Sequence, residues 1–307
     1  MGTMEETNEQ GLSREQIEEA RNNRASLQEA CRTAPSANAQ LRIHVLASGS
    51  KGNASLVENI ATGEGILIDC GICKRDVLSR SAEAGFDLGK LKAVLITHEH
   101  SDHIAGLGVV ARKYGIPMYG TQETIDAILH TSSVGKVDES LFHPILPDEA
   151  FTIGDITVKP FSISHDAANP VAYVMEHDTK KVAVATDLGK YDDYLVDKLH
   201  GLDVLLLEAN HDVRMLQVGS YPYPLKQRIL GNRGHLSNES SGQFLGQLLH
   251  DKFKKVVLGH LSKENNLAEL AYETVRQEVE QGENPYHGND FPIQVAKRDE
   301  VSELIRI

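Results

Sequence analysis

The alternation of apolar and polar positions divides the chain near residue 40. Before that point large apolar residues are scarce among Glu, Gln, Asn, Arg and Ala. Ser13 with Gln16 has the form of a capping box, and Ile17, Ala20, Leu27 and Cys31 make a thin stripe at helical spacing. This predicts an extension over residues 1–40, partly helical or disordered, with a linker at 33–38. From Leu41 onward apolar runs of strand length take over, and residues 41–307 read as the folded domain. Strands are expected at 42–47, 54–58 and 65–69, with the Gly/Ser turn Ser48–Asn53 between the first two. A helix over 74–85, a strand over 92–96 and a helix over 102–114 follow. Further strands fit 150–153, 156–162, 171–176, 181–185, 203–207 and 255–258, with helices at 191–199, 237–250 and about 266–281. Strands come early in each half and helices later, which suits two sheets covered by outer helices better than strict βαβ alternation. No exact sequence repeat accompanies this rhythm.

The strand over 92–96 breaks at Thr97 into a dense polar cluster. Four potential ligands, His98, His100, Asp102 and His103, occupy six consecutive positions before apolar helical character resumes. Imidazoles and a carboxylate crowded on one strand-to-helix turn repel or stay unsatisfied unless a cation draws them together. That ligand set suits Zn, Mn or Fe. The C-terminal end of a buried strand is also where α/β sheets place ligand sites. Three later strands end in the same manner: His165 follows 158–164, Asp187 follows 182–186 and His260 follows 256–259. Seven ligands on four strand ends suit two metal ions, and the two oxygens of Asp187 make it a natural bridge. His130, His143, His177, His200, His250 and His287 lack this setting and read as surface or local-packing residues.

Composition limits what such a site acts on. A net charge of −13 leaves no excess of Lys and Arg for a broad electrostatic grip on a polyanion. Bound divalent cations, however, supply positive charge where a phosphate sits. The absence of a long apolar run and of a signal-peptide pattern leads to the expectation of a soluble, cytoplasmic protein without membrane contact. Three cysteines build no disulfide framework, and Cys70 and Cys73, a lone CxxC, are expected to pack rather than react.

Other groups belong to the ligand side of the molecule. The turn Ser48–Asn53 is either a plain hairpin turn or an anion-binding nest. His235, in Gly234–Glu239, is either a helix-cap neighbour or a general acid beside the metals, with Ser237 as the cap. Tyr221–Arg228 interleaves aromatic and basic residues, as a surface gripping a single strand does, or is a Pro-kinked connection whose tyrosines pack.

Thr97–His103 matches the HxHxDH signature of the metallo-β-lactamase superfamily, and His165, Asp187 and His260 follow in order. Segments 46–53, 208–212, 233–237 and 258–266 resemble the YycJ/WalJ branch. The resemblance runs from about Leu41 to the C-terminus. It implies an α/β fold, a four-layer αββα sandwich, and hydrolysis of phosphodiesters, with DNA exonuclease activity linked to mismatch repair. It implies that His98, His100 and His165 hold one ion (Zn or Mn) and Asp102, His103 and His260 the other, with Asp187 between. Two metals about 3.5–4 Å apart would hold a bridging hydroxide and clamp the attacking and leaving oxygens. His235 would protonate the departing oxygen, supported by His211. Ser48, Ser50 and Asn53 would contact phosphate, and Tyr223, Lys226 and Arg228 the strand. His235 with Glu239 also resembles the HxxxE element used for proton transfer in tRNA 3′-processing enzymes. Rival readings are hydrolysis of a small phosphodiester, thioester or lactam, and a non-catalytic partner that kept the fold; the intact ligand set speaks against the last. A diiron oxygen-reducing enzyme is not expected, since it would carry Glu at position 100 and a flavin domain after the fold, nor is a large RNA-processing enzyme, since too little chain separates Asp187 from His260 for a β-CASP insertion.

Overall fold

The computed structural model describes residues 40–307. The extension expected over 1–40 therefore lies, except for Gln40, outside the described residues. Apolar alternation decides the layering. In β1 (Leu41–Ala47), Leu41, Ile43 and Val45 face inward, while His44 and Leu46 point to the other side. This strand pairs antiparallel with β2 (Ala54–Asn59), which pairs antiparallel with β3 (Gly65–Ile68). Parallel pairing follows through β4 (Leu91–Leu95), β5 (Met118–Thr121) and β6 (Phe142–Ile145). The chain's last strand, β14 (Ile305–Arg306), returns to the free edge of β1 and completes a seven-stranded sheet.

The second sheet repeats this plan. β7 (Phe151–Ile153), β8 (Ile156–Ser162), β9 (Val171–His177) and β10 (Lys180–Ala185) run antiparallel. β11 (Val204–Glu208), β12 (Lys255–Gly259) and β13 (Ile293–Val295) add in parallel, again giving seven strands. The two sheets face each other through one apolar layer, with Ile43, Val57, Ile66 and Leu95 from the first against Val158, Tyr173, Val184 and Val257 from the second. Each such aliphatic side chain contributes roughly 1.5–3 kcal/mol by leaving water. Tyr173 is fully buried, and its hydroxyl donates to Ile96 O at 2.7 Å, so the layer carries no unsatisfied phenol.

Helices cover both outer faces. α1 (Lys74–Glu83), α3 (Leu107–Tyr114) and α4 (Gln122–His130) lie on the first sheet, through Val77, Val110 and Ile125. α5 (Asp193–Lys198), α8 (Asn238–Leu248) and α9 (Ala268–Gln281) lie on the second, through Leu195, Phe244 and Val275. The result is the expected αββα sandwich. No helix among the described residues is long and apolar enough to cross a membrane.

Most expected elements are present, with informative differences. The helix expected from Asp102 to Tyr114 is two pieces, α2 (Ser101–Ile104) and α3. Gly106 breaks it, at a place where a Cβ would lie 2.1 Å from Ile72 O. β5, β6, β13 and β14 carry too few residues, or a Gly or Pro, to show an alternation. The segment between residues 211 and 231 is mostly helical, as α6 (Val213–Val218) and α7 (Tyr223–Leu230).

Candidate metal centre and active site

The site is assembled where strand ends from both sheets meet. β4 delivers His98 and His100, and α2 turns Asp102 and His103 back toward them. β8 delivers His165, β10 Asp187 and β12 His260. Asp69, Asp187 and His260 all adopt left-handed backbone, at φ of 58°, 62° and 54°. Such conformations are uncommon for residues other than glycine and cost on the order of 1 kcal/mol or more each. Here each folds the chain sharply at a strand end and turns a polar side chain into the cleft.

Four imidazoles are anchored through Nδ1, leaving Nε2 to face the centre. Thr97 Oγ1 lies 3.0 Å from His98 Nδ1, and Asp69 Oδ2 lies 2.7 Å from His103 Nδ1. Gly234 O lies 3.1 Å from His165 Nδ1, and Glu208 Oε1 lies 2.9 Å from His260 Nδ1. His100 is the exception and presents Nδ1, at 3.1 Å from His98 Nε2 and 3.3 Å from His165 Nε2. Anchoring of the far nitrogen fixes tautomer and ring direction, as metal-binding histidines require.

Two trios result, His98/His100/His165 and Asp102/His103/His260, each with its ligand atoms within 4.8 Å of one another. Asp187 lies between them, with Oδ2 3.3 Å from His103 Nε2 and Oδ1 3.7 Å from His165 Nε2. Buried Asp187 Oδ2 and His260 Nε2 have no hydrogen-bond partner among the described residues. Orphaned buried polar atoms in a set of imidazoles and carboxylates fit divalent cations. The electrostatics agree. Burial pushes the His103 pKa down, but Asp187 and Asp69 pull it up to about 9. Burial likewise opposes protonation of His260, yet Asp187, Asp102 and Glu208 hold its pKa well above the ordinary range. His98, buried without a carboxylate beside it, is shifted well below that range, and the neighbouring imidazoles add to the effect. Carboxylates that draw protons this strongly draw metal ions by the same field.

The sandwich fold, the strand-end ligands and the anchored imidazoles agree with a comparison of the sequence against known families. Residues 65–260 match the beta-lactamase superfamily domain. The chain belongs to the metallo-β-lactamase superfamily. Within it, the chain is 41% identical over 263 residues to the exodeoxyribonuclease WalJ of Streptococcus pneumoniae, covering 86% of this chain and 97% of that protein. It is 38% identical over 242 residues to the exodeoxyribonuclease YycJ of Bacillus anthracis, covering 78% and 90%. Among solved structures, the metallo-β-lactamase fold protein YhfI of Bacillus subtilis superposes with a TM-score of 0.60 at 18% identity, over 86% of this chain and 99% of that one. With these relatives and this ligand set, the chain is a metal-dependent hydrolase.

The superfamily signature leaves two buried carboxylates unmentioned, and both prove central. Asp69 ends β3, accepts from Thr97 N at 2.9 Å and Thr97 Oγ1 at 2.8 Å, and holds His103. Glu208 ends β11, is fully buried, and holds His260 through Oε1. Its other oxygen accepts from Leu188 N at 2.8 Å and Leu236 N at 3.1 Å. An acid closing an apolar strand, the signal that singles out Asp187, marks both. Glu208 also corrects the reading of His235: its Nδ1 lies 2.8 Å from Glu208 Oε1, whereas Glu239 Oε2 has no partner. The carboxylate behind His235 thus comes from a neighbouring strand, not from four residues downstream. His211 is buried beside them with neither ring nitrogen bonded, and burial lowers its pKa to about 4, so it is neutral near pH 7.

The expected phosphate contacts divide. Buried Ser48 accepts from His260 N at 2.8 Å. Buried Asn53 accepts from Gly49 N at 3.0 Å and places Nδ2 3.3 Å from Asp102 Oδ2. Both are spent on shaping the ligand cluster, and only Ser50 is exposed. Lys226 Nζ donates to Gln217 O and Gly219 O, each at 2.7 Å, and ties α7 to the end of α6. Arg228 is joined to Asp166, next to His165, and Tyr223 stands 73% exposed. A cavity of about 170 Å³ lies beside the ligands, lined by Asp166, Asn210, Tyr221, Arg228 and His235 among others. Ser237 caps α8 as expected, accepting from Ser240 N at 3.2 Å. Buried Cys70 packs in the core, its thiol pushed by burial up to about 12, while Cys73 is exposed at the start of α1.

Proposed function

We propose that the chain is a cytoplasmic exodeoxyribonuclease, linked to DNA repair, that hydrolyses phosphodiesters with two divalent ions, Zn or Mn. The reading is carried by the near full-length match to two proteins named exodeoxyribonuclease, with all seven ligand positions filled by suitable donors. His98, His100 and His165 would hold one ion, and Asp102, His103 and His260 the other, with Asp187 shared. When bound, such a pair supplies an activated water and charge neutralisation at the phosphate.

The remaining work falls to the protein's own groups. His235 is partly exposed at the cavity while its Nδ1 is tied to Glu208, so Nε2 is the atom that gives a proton to the departing oxygen. Glu208 has its pKa lowered: burial opposes ionisation, but His235 and His260 outweigh it, so it stays a carboxylate and steadies the imidazolium. Neutral His211 supports that pair without competing for its proton. Asp102 is catalytic only in holding its ion. The terminal nucleotide occupies the cavity between Tyr221, Arg228 and Ser50, with exposed Tyr223 along the departing strand. Incubating the protein, loaded with Mn or Zn, with end-labelled DNA, RNA and bis-p-nitrophenyl phosphate tests this. Stepwise shortening of DNA supports the exonuclease, and cleavage of the small ester alone overturns it in favour of a small-diester hydrolase.

A further inference from the structure

The turn after β1 and the turn after β12 meet on the rim of the ligand cluster. Between them, on the far side of Ser50 from the 170 Å³ cavity, lies a hollow of about 50 Å³. Its walls include Ser50, Lys51, Leu261, Lys263, Arg298 and Asp299. Ser50 lines both spaces, and Leu261 of the small one adjoins Ser262 of the large one. The two are therefore separated by a low ridge directly beyond His260.

Three observations point to an anion. Although the chain carries a net charge of −13, Lys51 and Lys263 are exposed here and neither pairs with a carboxylate of the described residues. The Ser50 and Lys51 N–H groups donate to no described acceptor, while their neighbours are engaged: Gly49 N with Asn53 Oδ1 at 3.0 Å and Gly52 N with Gly49 O at 2.9 Å. The turn closed by Gly52 N on Gly49 O thus leaves two backbone donors open beside a serine hydroxyl, the groups an oxyanion accepts from. Finally, Arg298 donates to Leu261 O at 3.2 Å and Ser262 O at 2.7 Å, which fixes the turn carrying Lys263 and adds a third cation. Asp299 is the single acid among the lining residues.

We infer that this hollow binds the backbone phosphate adjacent to the one being cut, an inference that rests on the nuclease reading. At about 50 Å³ it is less than a third of the neighbouring cavity, and suits a phosphate rather than a nucleoside. A substrate strand runs from the Tyr221/Arg228 cavity across the metal rim and over the Ser50 ridge to the two lysines. Anchoring the neighbouring phosphate holds the strand at the rim, which backbone contacts do without reading sequence. A diester with one phosphate never reaches the hollow.

The test is a Lys51→Ala/Lys263→Ala double variant of the full chain, loaded with Mn. The expected result is a KM for single-stranded DNA raised about tenfold or more, with kcat on DNA and kcat/KM on bis-p-nitrophenyl phosphate unchanged. In a His235→Ala background, which binds without cutting, the double variant should show weaker DNA affinity. Its salt slope should be shallower by about 0.7, since the subsite neutralises one phosphate and each phosphate of a single strand contributes ~0.7. Unchanged affinity and slope overturn the subsite, as does a parallel fall on the small ester, which marks a structural role. If the unaltered protein binds no DNA at all, the nuclease reading itself fails, an outcome distinct from either.

Discussion

At the scale of single residues, carboxylates stand behind three histidines of the site, His103, His235 and His260. Asp69 touches no expected metal position, yet it fixes His103 through a 2.7 Å contact. Asp69→Asn keeps the shape and loses the charge, so metal affinity should weaken about 10–100-fold while the fold survives. A competition titration with a chelating dye reads this directly, and unchanged affinity refutes the orienting role. His235 lies outside both ligand trios, although with Asp187, Glu208 and His260 it forms another group whose ligand atoms lie within 4.8 Å of one another. His235→Ala should therefore cut turnover about 10²–10⁴-fold with metal content unchanged; loss of metal instead makes it a ligand. A third residue shows the effect of burial away from the site. His44 is buried on the outer side of β1, 3.4 Å from Glu58 Oε2. Burial lowers its pKa despite the opposing pull of Glu58. The unfolded chain then takes up a proton that the folded one resists, so stability falls as pH drops below the ordinary histidine value of about 6.5. His44→Gln should lose less stability between about pH 7.5 and about pH 5 in urea titrations than the unaltered chain does. An identical loss contradicts this.

At the scale of elements, the decisive parts are turns where two backbones nearly touch. Gly71 follows β3 so closely against α2 that an added Cβ would lie 1.6 Å from Asp102 O. Gly71→Ala must push α2 away, and with it Asp102 and His103. The expected outcome is destabilisation of about 1–3 kcal/mol together with weakened metal binding, read by urea midpoint and metal content. Retention of both contradicts the close-packing account. Legibility in the sequence divides along the same line. The strand over 181–185 announces itself by a nearly continuous apolar run and 156–162 by apolar residues among polar ones, with a His or Asp within three residues of each end. The four-residue strands β5 and β6 contain Gly120 and Pro144 and show no period. α7 has no fully buried residue, so no apolar stripe marks it. Partners across strands are invisible to spacing, which is why the sequence pairs His235 with Glu239 and not with Glu208.

For the whole molecule, two sheets of like plan place their polar strand ends on one rim, and the sandwich between them is the rigid support. The acidic balance of the chain and the carboxylates Asp69, Asp102, Asp187 and Glu208 make that rim a trap for cations, through which a polyanionic substrate is then met. The overall arrangement was legible because HxHxDH and three strand-end ligands recur in order. The strained backbone at Asp69, Asp187 and His260 was not, since Asp and His are enriched in left-handed turns but occur far more often outside them.

Metal stoichiometry tests the central claim most directly. The purified chain, stripped by chelator and titrated with Mn or Zn, should take up two ions per chain and recover DNA hydrolysis with them. Asp187→Ala, which removes the shared carboxylate, should lower both uptake and activity. Uptake of no ion, or full DNA hydrolysis by the stripped protein, would contradict the account.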